Sequence, residues 1–391
     1  MKSLWDEADA RSAVDRYAAA GVAEALALRT YSARLLGADR RLVLHGGGNT
    51  SVKTTSVDLF GRPLDAIHVK GSGRDLATIE PEGQPAVRLA PLLELRALDS
   101  LSDEAMVNAQ RQNLLDTAAP NPSLETLLHA FIPETFIDHT HAIAVLALAD
   151  QPDPAAVIEA VYGARVACVP YVMPGFDLAK RAAVACESCP DLEGLILVGH
   201  GAVSFGANAR DSYERMIVLV TAAERHIARR PAIPRPAPVA AAPAHDVLPR
   251  LRGAIGHAAG TRWPDRWVFD LRDCETARAL VDDPRLADWA ARGVATPDHV
   301  IRTKREPLVL GAPAGDLAAW TGEARRAVGD FVLAYERYFQ RNAAGVAART
   351  QLDPLPRVAA IPGLGLAGIG RSAAEAAIAA DIAVSWAETL L

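Results

Sequence analysis

Apolar residues recur at helical spacing near the amino terminus, where Val22, Ala25, Leu26, Leu28 and Leu35 share a face; the pattern predicts a helix over residues 5–37, stopped by Gly37. The period then changes. Arg41 to His45 reads as a short strand running into Gly46-Gly47-Gly48-Asn49-Thr50, and Ser51 to Lys53 returns to strand. A further strand-like run, Ala66 to Val69, ends in the turn Lys70-Gly71-Ser72-Gly73-Arg74. Pro120 to His129 reads as a capped helix start, with Ser123 as cap, Glu125 in the first turn and His129 one turn further on the same face. Two more apolar runs, Phe136 to Leu148 and Leu195 to Val198, predict buried strand, and Ala209 to Arg229 is amphipathic helix with Met216, Ile217, Val220 and Ala223 toward a core.

After that helix the pattern stops. A proline and alanine stretch predicts a semi-rigid linker over residues 230–244, which separates a first domain, 1–229, from a second, 245–391. The second domain alternates strands (Arg266 to Leu271, Pro307 to Leu310) with helices such as Gly322 to Arg341. Near its end, GLGLAG has the spacing of a dinucleotide-binding turn, but Ser372 starts a last helix and no room remains for a second strand and a ribose-binding acid. Asp298-His299, with Arg302, Lys304 and Arg305 after it, is either a group that meets an anion or a solvated basic edge.

Composition narrows the class. Half of the 391 residues are hydrophobic and 23% are charged, as in a soluble globular protein, and a net charge of −6 gives no electrostatic case for nucleic acid or an anionic membrane. No stretch approaches the roughly 18 apolar residues of a span. The opening MKSLWDEADARSAVDRY carries acids where a signal peptide carries an apolar core, so the expected location is the cytoplasm. Cys186 and Cys189 form a Cys-x-x-Cys without a second pair; a redox pair and incidental thiols both fit.

The candidate chemistry gathers around His139 and His141. One residue apart on an extended strand, both imidazoles project from one face, and His200 between Gly199 and Gly201 supplies a third. Three imidazoles leave a tetrahedral zinc one open position, as in a catalytic site. A histidine near a strand is also a common hydrogen-bonded core residue, so the metal reading leans on His200 and on Glu125 upstream. The glycine turns at 46–48 and 71–73 offer converging N–H groups that suit an anion, although each alone is also an ordinary hairpin turn; the first lacks the Lys-Ser/Thr ending and following helix of a nucleotide loop. An acid at Glu125 could equally serve the helix dipole, and His129 reads as structural.

GGGNTSVK, KGSGRDL, PSLETLLH, DHTHA and GHGAVSFG, in this order and spacing over residues 15–228, resemble the class II aldolase/adducin family. TPDHVIRTKREPL, YERYF and DPLPRVAAIPGLG are further similar to the aldolase part of longer bifunctional rhamnulose-1-phosphate aldolase/alcohol dehydrogenase proteins, here expected without the dehydrogenase domain. The resemblance implies a three-layer α/β/α fold on a mainly antiparallel sheet, followed by a smaller α/β domain. It also implies a homotetramer with sites between subunits, Zn2+ or another divalent metal on His139, His141 and His200, and Glu125 as acid/base. Asn49, Ser72, Gly73 and Ser123 fall where the family contacts phosphate, and Thr50 is counted with them as a donor of the first glycine turn. One departure stands out: Leu124 occupies a position where the family often has a second serine.

The implied activity is cleavage of a (deoxy)ketose 1-phosphate, such as rhamnulose 1-phosphate, to dihydroxyacetone phosphate and an aldehyde, with a small-molecule sugar phosphate as partner. Pentulose-phosphate 4-epimerases and 3-oxo-tetronate 4-phosphate decarboxylases use the same scaffold, and adducin-like members use it as an interaction module. Glu125 favours aldol chemistry over epimerisation, and retention of the three histidines argues against a module without metal.

Overall fold

The computed structural model describes residues 1–58, 60–231, 233–262, 266–345 and 349–391, and of Asp298 the backbone alone. The chain divides into two compact units, Met1–Pro231 and Ala232–Leu391.

The first unit is built on a seven-stranded sheet. Its strands are β1 (Asn49–Val57), β2 (Pro63–Val69), β3 (Ala86–Arg88), β4 (Phe136–Thr140), β5 (Val166–Val169), β6 (Gly194–Leu197) and β7 (Gly201–Gly206), in the order β3-β2-β1-β4-β7-β6-β5. Every neighbouring pair is antiparallel except β5 with β6. Alternation along the strands sends successive side chains to opposite faces. Ile137, Leu195 and Val203 pack against the helices Thr126–Phe131 and Phe176–Ser188 on one face, through Leu127, Leu128, Leu178 and Ala182. Ile196 and Ala202 pack on the other face against Leu36, Val145, Met216 and Val220 of helices Glu24–Ala38, Ile143–Ala149 and Ala209–Ile227. Fully buried leucines and isoleucines of this kind stabilise by ~1.5–3 kcal/mol each. The result is the three-layer α/β/α arrangement on a mainly antiparallel sheet.

Beneath β4 lies a buried ion pair. Arg29 Nη2 sits 2.5 Å from Asp138 Oδ1, both side chains fully buried, and Ser212 Oγ donates to Asp138 Oδ2 at 2.6 Å. Arg29 also donates to Ser32 Oγ at 2.7 Å, and burial lowers the pKa of its guanidinium while Asp138 raises it. The pair ties β4, immediately before His139, to the helices Glu24–Ala38 and Ala209–Ile227.

Three expected elements differ: the run Phe136 to Leu148, read as strand, is strand only over Phe136–Thr140 and continues as helix Ile143–Ala149. The helix predicted over residues 5–37 is two, Glu7–Ala18 and Glu24–Ala38, because Gly21 at φ +77° turns the chain between them. Arg41 to His45 is not strand. Leu42 and Val43 are buried in a turn closed by Leu42 N–H to Asp39 O, so the apolar run reflects packing of a loop; strand begins only at Asn49.

The second unit carries a four-stranded sheet, β8 (Val268–Arg272), β9 (Leu308–Val309), β10 (Val358–Ile361) and β11 (Gly365–Gly370), ordered β8-β11-β10-β9. Helices Ala244–Ala259 and Leu317–Ala343 cover one face through Leu251, Ile255, Trp320 and Val328, and Ala373–Leu390 covers the other through Ala379, Ala383 and Trp386. GLGLAG is the turn and second strand of the β10–β11 hairpin. Its glycines answer to packing: a Cβ on Gly368 would lie 2.1 Å from Ala376 O in the helix above. No helix among the described residues is long and apolar enough to cross a membrane.

Candidate metal centre

His139 closes β4 from within and His141 follows one residue past its last pair, while His200 occupies the turn joining β6 to β7. Since β4 and β7 are neighbours, the two strand ends bring the three rings together. Their candidate ligand atoms all lie within 4.8 Å of one another, and all three residues are buried. His139 Nε2 stands 3.1 Å from His141 Nε2. His139 Nδ1 is 3.0 Å from Ala202 O, an acceptor only, so Nδ1 carries the proton and the Nε2 lone pair faces the cluster. A lone pair aimed at a second ring nitrogen in a dry site is what a cation relieves. Glycine makes the approach possible: a Cβ on Gly201 would lie 3.2 Å from carbons of both His139 and His141, and one on Gly47 would lie 3.3 Å from His141 Nδ1.

Glu125 sits beside the triad, 8% exposed, with Oε2 3.5 Å from His139 Nε2 and Oε1 3.3 Å from His200 Nε2. It is the residue before helix Thr126–Phe131 rather than within its first turn. Burial pushes its carboxyl up, but His139, His200 and the Asn49 hydrogen bond bring it down to about 2. His200 in turn is lowered by burial to about 4, against the pull of Glu125. What stands at neutral pH is an ionised Glu125 held by the Asn49 amide beside a neutral His200, and neutral imidazole is the form that binds metal.

The carboxylate is oriented by a chain of hydrogen bonds. Asn49 Nδ2 donates to Glu125 Oε2 at 2.6 Å and lies 3.3 Å from Ser123 Oγ; Asn49 Oδ1 accepts from His129 Nε2, and His129 Nδ1 accepts from Ser51 Oγ at 2.8 Å. Burial lowers the His129 pKa to about 3, so it is a neutral relay with a fixed tautomer. Ser51, expected as strand, and His129, expected as structural, are hydrogen-bonded into this chain of partners of Glu125. The available signals were Ser51 two positions from Asn49 on one strand face, and His129 one turn from Glu125.

The two glycine turns meet. A Cβ on Gly46 would lie 3.4–3.6 Å from Gly73 and Arg74 backbone atoms, and the buried Lys70 Nζ donates to Gly46 O and to Arg74 O, clamping one turn to the other. Ser72 N–H bonds to Asn121 O and Ser123 N–H to Lys70 O, which brings the segment before Glu125 to the same place. Ser72 and Gly73 are exposed there. Thr50 is the exception. It pairs with Asp138 across β1–β4, so its side chain lies on the face opposite Asn49, and it is fully buried. It cannot reach an anion at the turns.

A family model described as Class II Aldolase and Adducin N-terminal domain matches residues 29–227, and one described as Aldolase class II, second domain, matches residues 242–391. A Bacillus subtilis (strain 168) protein named uncharacterized oxidoreductase YuxG is 31% identical over 384 residues, 95% of this chain and 53% of that protein, so the chain spans about half the length of this curated relative. Among solved structures, the N-terminal class II aldolase domain of a conserved protein from Thermoplasma acidophilum is 36% identical with TM-score 0.51, covering 58% of this chain and 99% of that one. An L-fuculose-1-phosphate aldolase from Thermus thermophilus is 18% identical with TM-score 0.35, covering 53% and 95% respectively. A chain that carries the family's N-terminal domain over half its length, and its second domain over the remainder, belongs to the class II aldolase/adducin family.

Proposed function

We propose that this protein is a metal-dependent aldolase that cleaves a ketose 1-phosphate, a deoxyketose such as rhamnulose 1-phosphate in the first instance, to dihydroxyacetone phosphate and an aldehyde. The observation that carries the reading is the buried carboxylate of Glu125 placed 3.3–3.5 Å from two of three converging imidazoles. His139, His141 and His200 would hold the ion, zinc before other divalent metals; bound there, it supplies Lewis acidity to the carbonyl and hydroxyl oxygens of the sugar.

Glu125 then carries the proton at C3 of the substrate. In cleavage the C4 hydroxyl loses its proton as the C3–C4 bond breaks and C3 gains one, so the ionised carboxylate takes up the released proton before delivering it to C3, and the Asn49 amide fixes which oxygen faces the cluster. Ser72, Gly73 and Ser123, at the junction of the two glycine turns, hold the phosphate with the two serine hydroxyls and the Gly73 N–H, so that the breaking bond faces Glu125. In the arrangement described, both N–H groups of the Asn49 amide have partners in Glu125 and Ser123, so its part in phosphate binding is through the placement of Ser123. Leu124, 38% exposed where relatives often have serine, removes one hydroxyl from that pocket. The domain roles, 1–229 catalytic and 245–391 accessory, and a homotetramer in the cytoplasm belong to the same proposal; light scattering reads the assembly.

The test is metal content together with retro-aldol turnover on a panel of ketose 1-phosphates for the wild type, Glu125→Gln and His141→Ala. Expected are about one divalent ion per chain, release of dihydroxyacetone phosphate, retention of metal without turnover in Glu125→Gln, and loss of metal in His141→Ala. Metal without cleavage of any panel member moves the reading to decarboxylation or epimerisation on the same scaffold. A protein that binds no divalent ion overturns it.

A further inference from the structure

A pocket of about 270 Å3 lies wholly within the second unit, between helix Leu317–Ala343 and the segment Lys304–Glu306. The helix contributes Phe331, Tyr335 and Tyr338, at positions i, i+4 and i+7 of one face, with Arg337 and Arg341 at the margin. Lys304 and Arg305 come from the opposite side. Four cations thus line the pocket against one carboxylate, Glu306, which pairs with Arg305. Among the described residues no carboxylate pairs with Lys304, Arg337 or Arg341.

Lys304 is the informative residue. Its backbone is at φ +68°, ψ −179°, a region that glycine alone enters without strain, yet the chain places a lysine there. The side chain is 3% exposed; Nζ donates to the neutral carbonyl of Asp353 and lies 4.4 Å over the Tyr335 ring. The Asp353 carboxylate itself is taken by Arg357 and Arg371. Burial draws the ammonium down to about 8, which leaves it protonated at pH 7. A strained backbone therefore holds a buried charge against an aromatic wall, without direct neutralisation. The missing partner is an anion.

We infer that this pocket binds a small phosphorylated molecule carrying a flat ring, of the nucleoside monophosphate class, with the phosphate at Lys304, Arg337 and Arg341 and the ring among Phe331, Tyr335 and Tyr338. The volume lies near the lower end of small-ligand pockets, ~300 Å3, which excludes a dinucleotide. Three aromatic walls exceed what a bare inorganic anion needs, and a net charge of −6 over the whole chain argues against a polymeric nucleic acid. The inference uses residues of the second unit alone and stands whether or not the aldolase reading does.

The experiment is calorimetric titration of the full-length, metal-loaded chain with AMP, ribose 5-phosphate and inorganic phosphate. Expected is one saturable AMP site per chain, with ribose 5-phosphate at least about tenfold weaker, as the loss of base stacking dictates. Lys304→Gly, which suits the backbone and stays folded, and Arg337→Glu/Arg341→Glu should each weaken AMP at least about tenfold through lost charge-assisted contacts. Tyr338→Ala should weaken AMP and leave inorganic phosphate unchanged. His141→Ala should bind AMP as the wild type does, since its lesion is in the other unit. The proposal is overturned by absence of saturable AMP binding, by equal affinity for AMP and ribose 5-phosphate, by indifference to the charge reversals in variants with wild-type circular dichroism, or by loss of the AMP site in His141→Ala.

Discussion

Replacing Arg29 with methionine keeps most of the apolar volume of the side chain and removes the charge facing Asp138. Wild type holds the pair at 2.5 Å with both side chains fully buried, and Ser212 supplies one further bond to the carboxylate. After the substitution Asp138 must either remain charged in the core or take up a proton. The second route sets a ceiling: neutralising a carboxyl of ordinary pKa ~3.9 at pH 7 takes about 4 kcal/mol, three decades at ~1.36 kcal/mol each. A loss of about 3–4 kcal/mol follows, within the ~3–5 kcal/mol expected when one member of a buried pair is removed.

The same route takes only ~1.5 kcal/mol at pH 5, so the defect should shrink on acidification. The sign is fixed by linkage. In the variant the folded-state carboxyl is raised above its unfolded value, the unfolded chain releases its proton first, and stability falls as pH rises from about 4 to 7. Urea denaturation followed by far-ultraviolet circular dichroism, wild type against Arg29→Met at pH 7 and pH 5, reads both quantities. Adding Asp138→Leu should recover at least half of the loss, because removing both charges leaves neither stranded. A loss below about 1 kcal/mol at pH 7, an equal loss at both pH values, or a double variant weaker than the single one refutes the account of what ties β4 down.

Three other outcomes follow from the geometry. Gly201→Ala puts a Cβ 2.3 Å from Thr140 O and 3.2 Å from both neighbouring imidazoles, and overpacking of this kind costs ~1–3 kcal/mol; zinc affinity by competition with a chelator should drop at least about tenfold, and an unchanged affinity counts against these rings as the ligands. Asn49→Ala removes the 2.6 Å bond to the buried carboxylate, a loss of ~1.5–3 kcal/mol, so turnover should fall about 10- to 150-fold at unchanged metal content; a change below twofold shows that the amide does not set the orientation of Glu125. Burial lowers His299 to about 4 from an ordinary ~6.5, so its contribution is present above pH 6.5 and lost as pH falls toward 4, up to about 3 kcal/mol. Tryptophan fluorescence reports it, since Trp267, Trp289, Trp320 and Trp386 lie in the second unit and Trp5 alone in the first. His299→Leu should flatten that dependence between pH 6.5 and 4.5, and an unaltered slope assigns the acid sensitivity to another group.

What the sequence disclosed was carried by short-range pattern. His139 and His141 could be placed on one face because they are two residues apart, and the Gly199-His200-Gly201 turn announced itself by its flanking glycines. The α/β/α layering was legible only with the help of the resemblance, since alternation in β4, β6 and β7 is blurred where both faces are buried, as at Leu195, Ile196 and Leu197. The apolar triplet Leu42-Val43-Leu44 misled for the same reason: burial without periodicity does not distinguish a strand from a packed turn.

The fine structure of the site depended on facts that have no local trace. Read as part of the glycine turn, Asn49 and Thr50 looked like equivalent donors around an anion. As the first residues of β1 they obey a period of two, so Asn49 and Ser51 join His129 and Glu125, while Thr50 faces Asp138. The partners of Asn49 lie 76 and 80 positions along the chain, and nothing but the β1–β4 pairing of Asn49 with His139 brings the strand to them. The candidate metal ligands are thus set by motif, whereas the orientation of the carboxylate is set by strand register. A one-residue slip of β1 on β4 would leave all three histidines in place, turn Thr50 toward Glu125 and bury Asn49 against Asp138. Such a chain would keep its three imidazoles together, with Glu125 no longer oriented by the Asn49 amide.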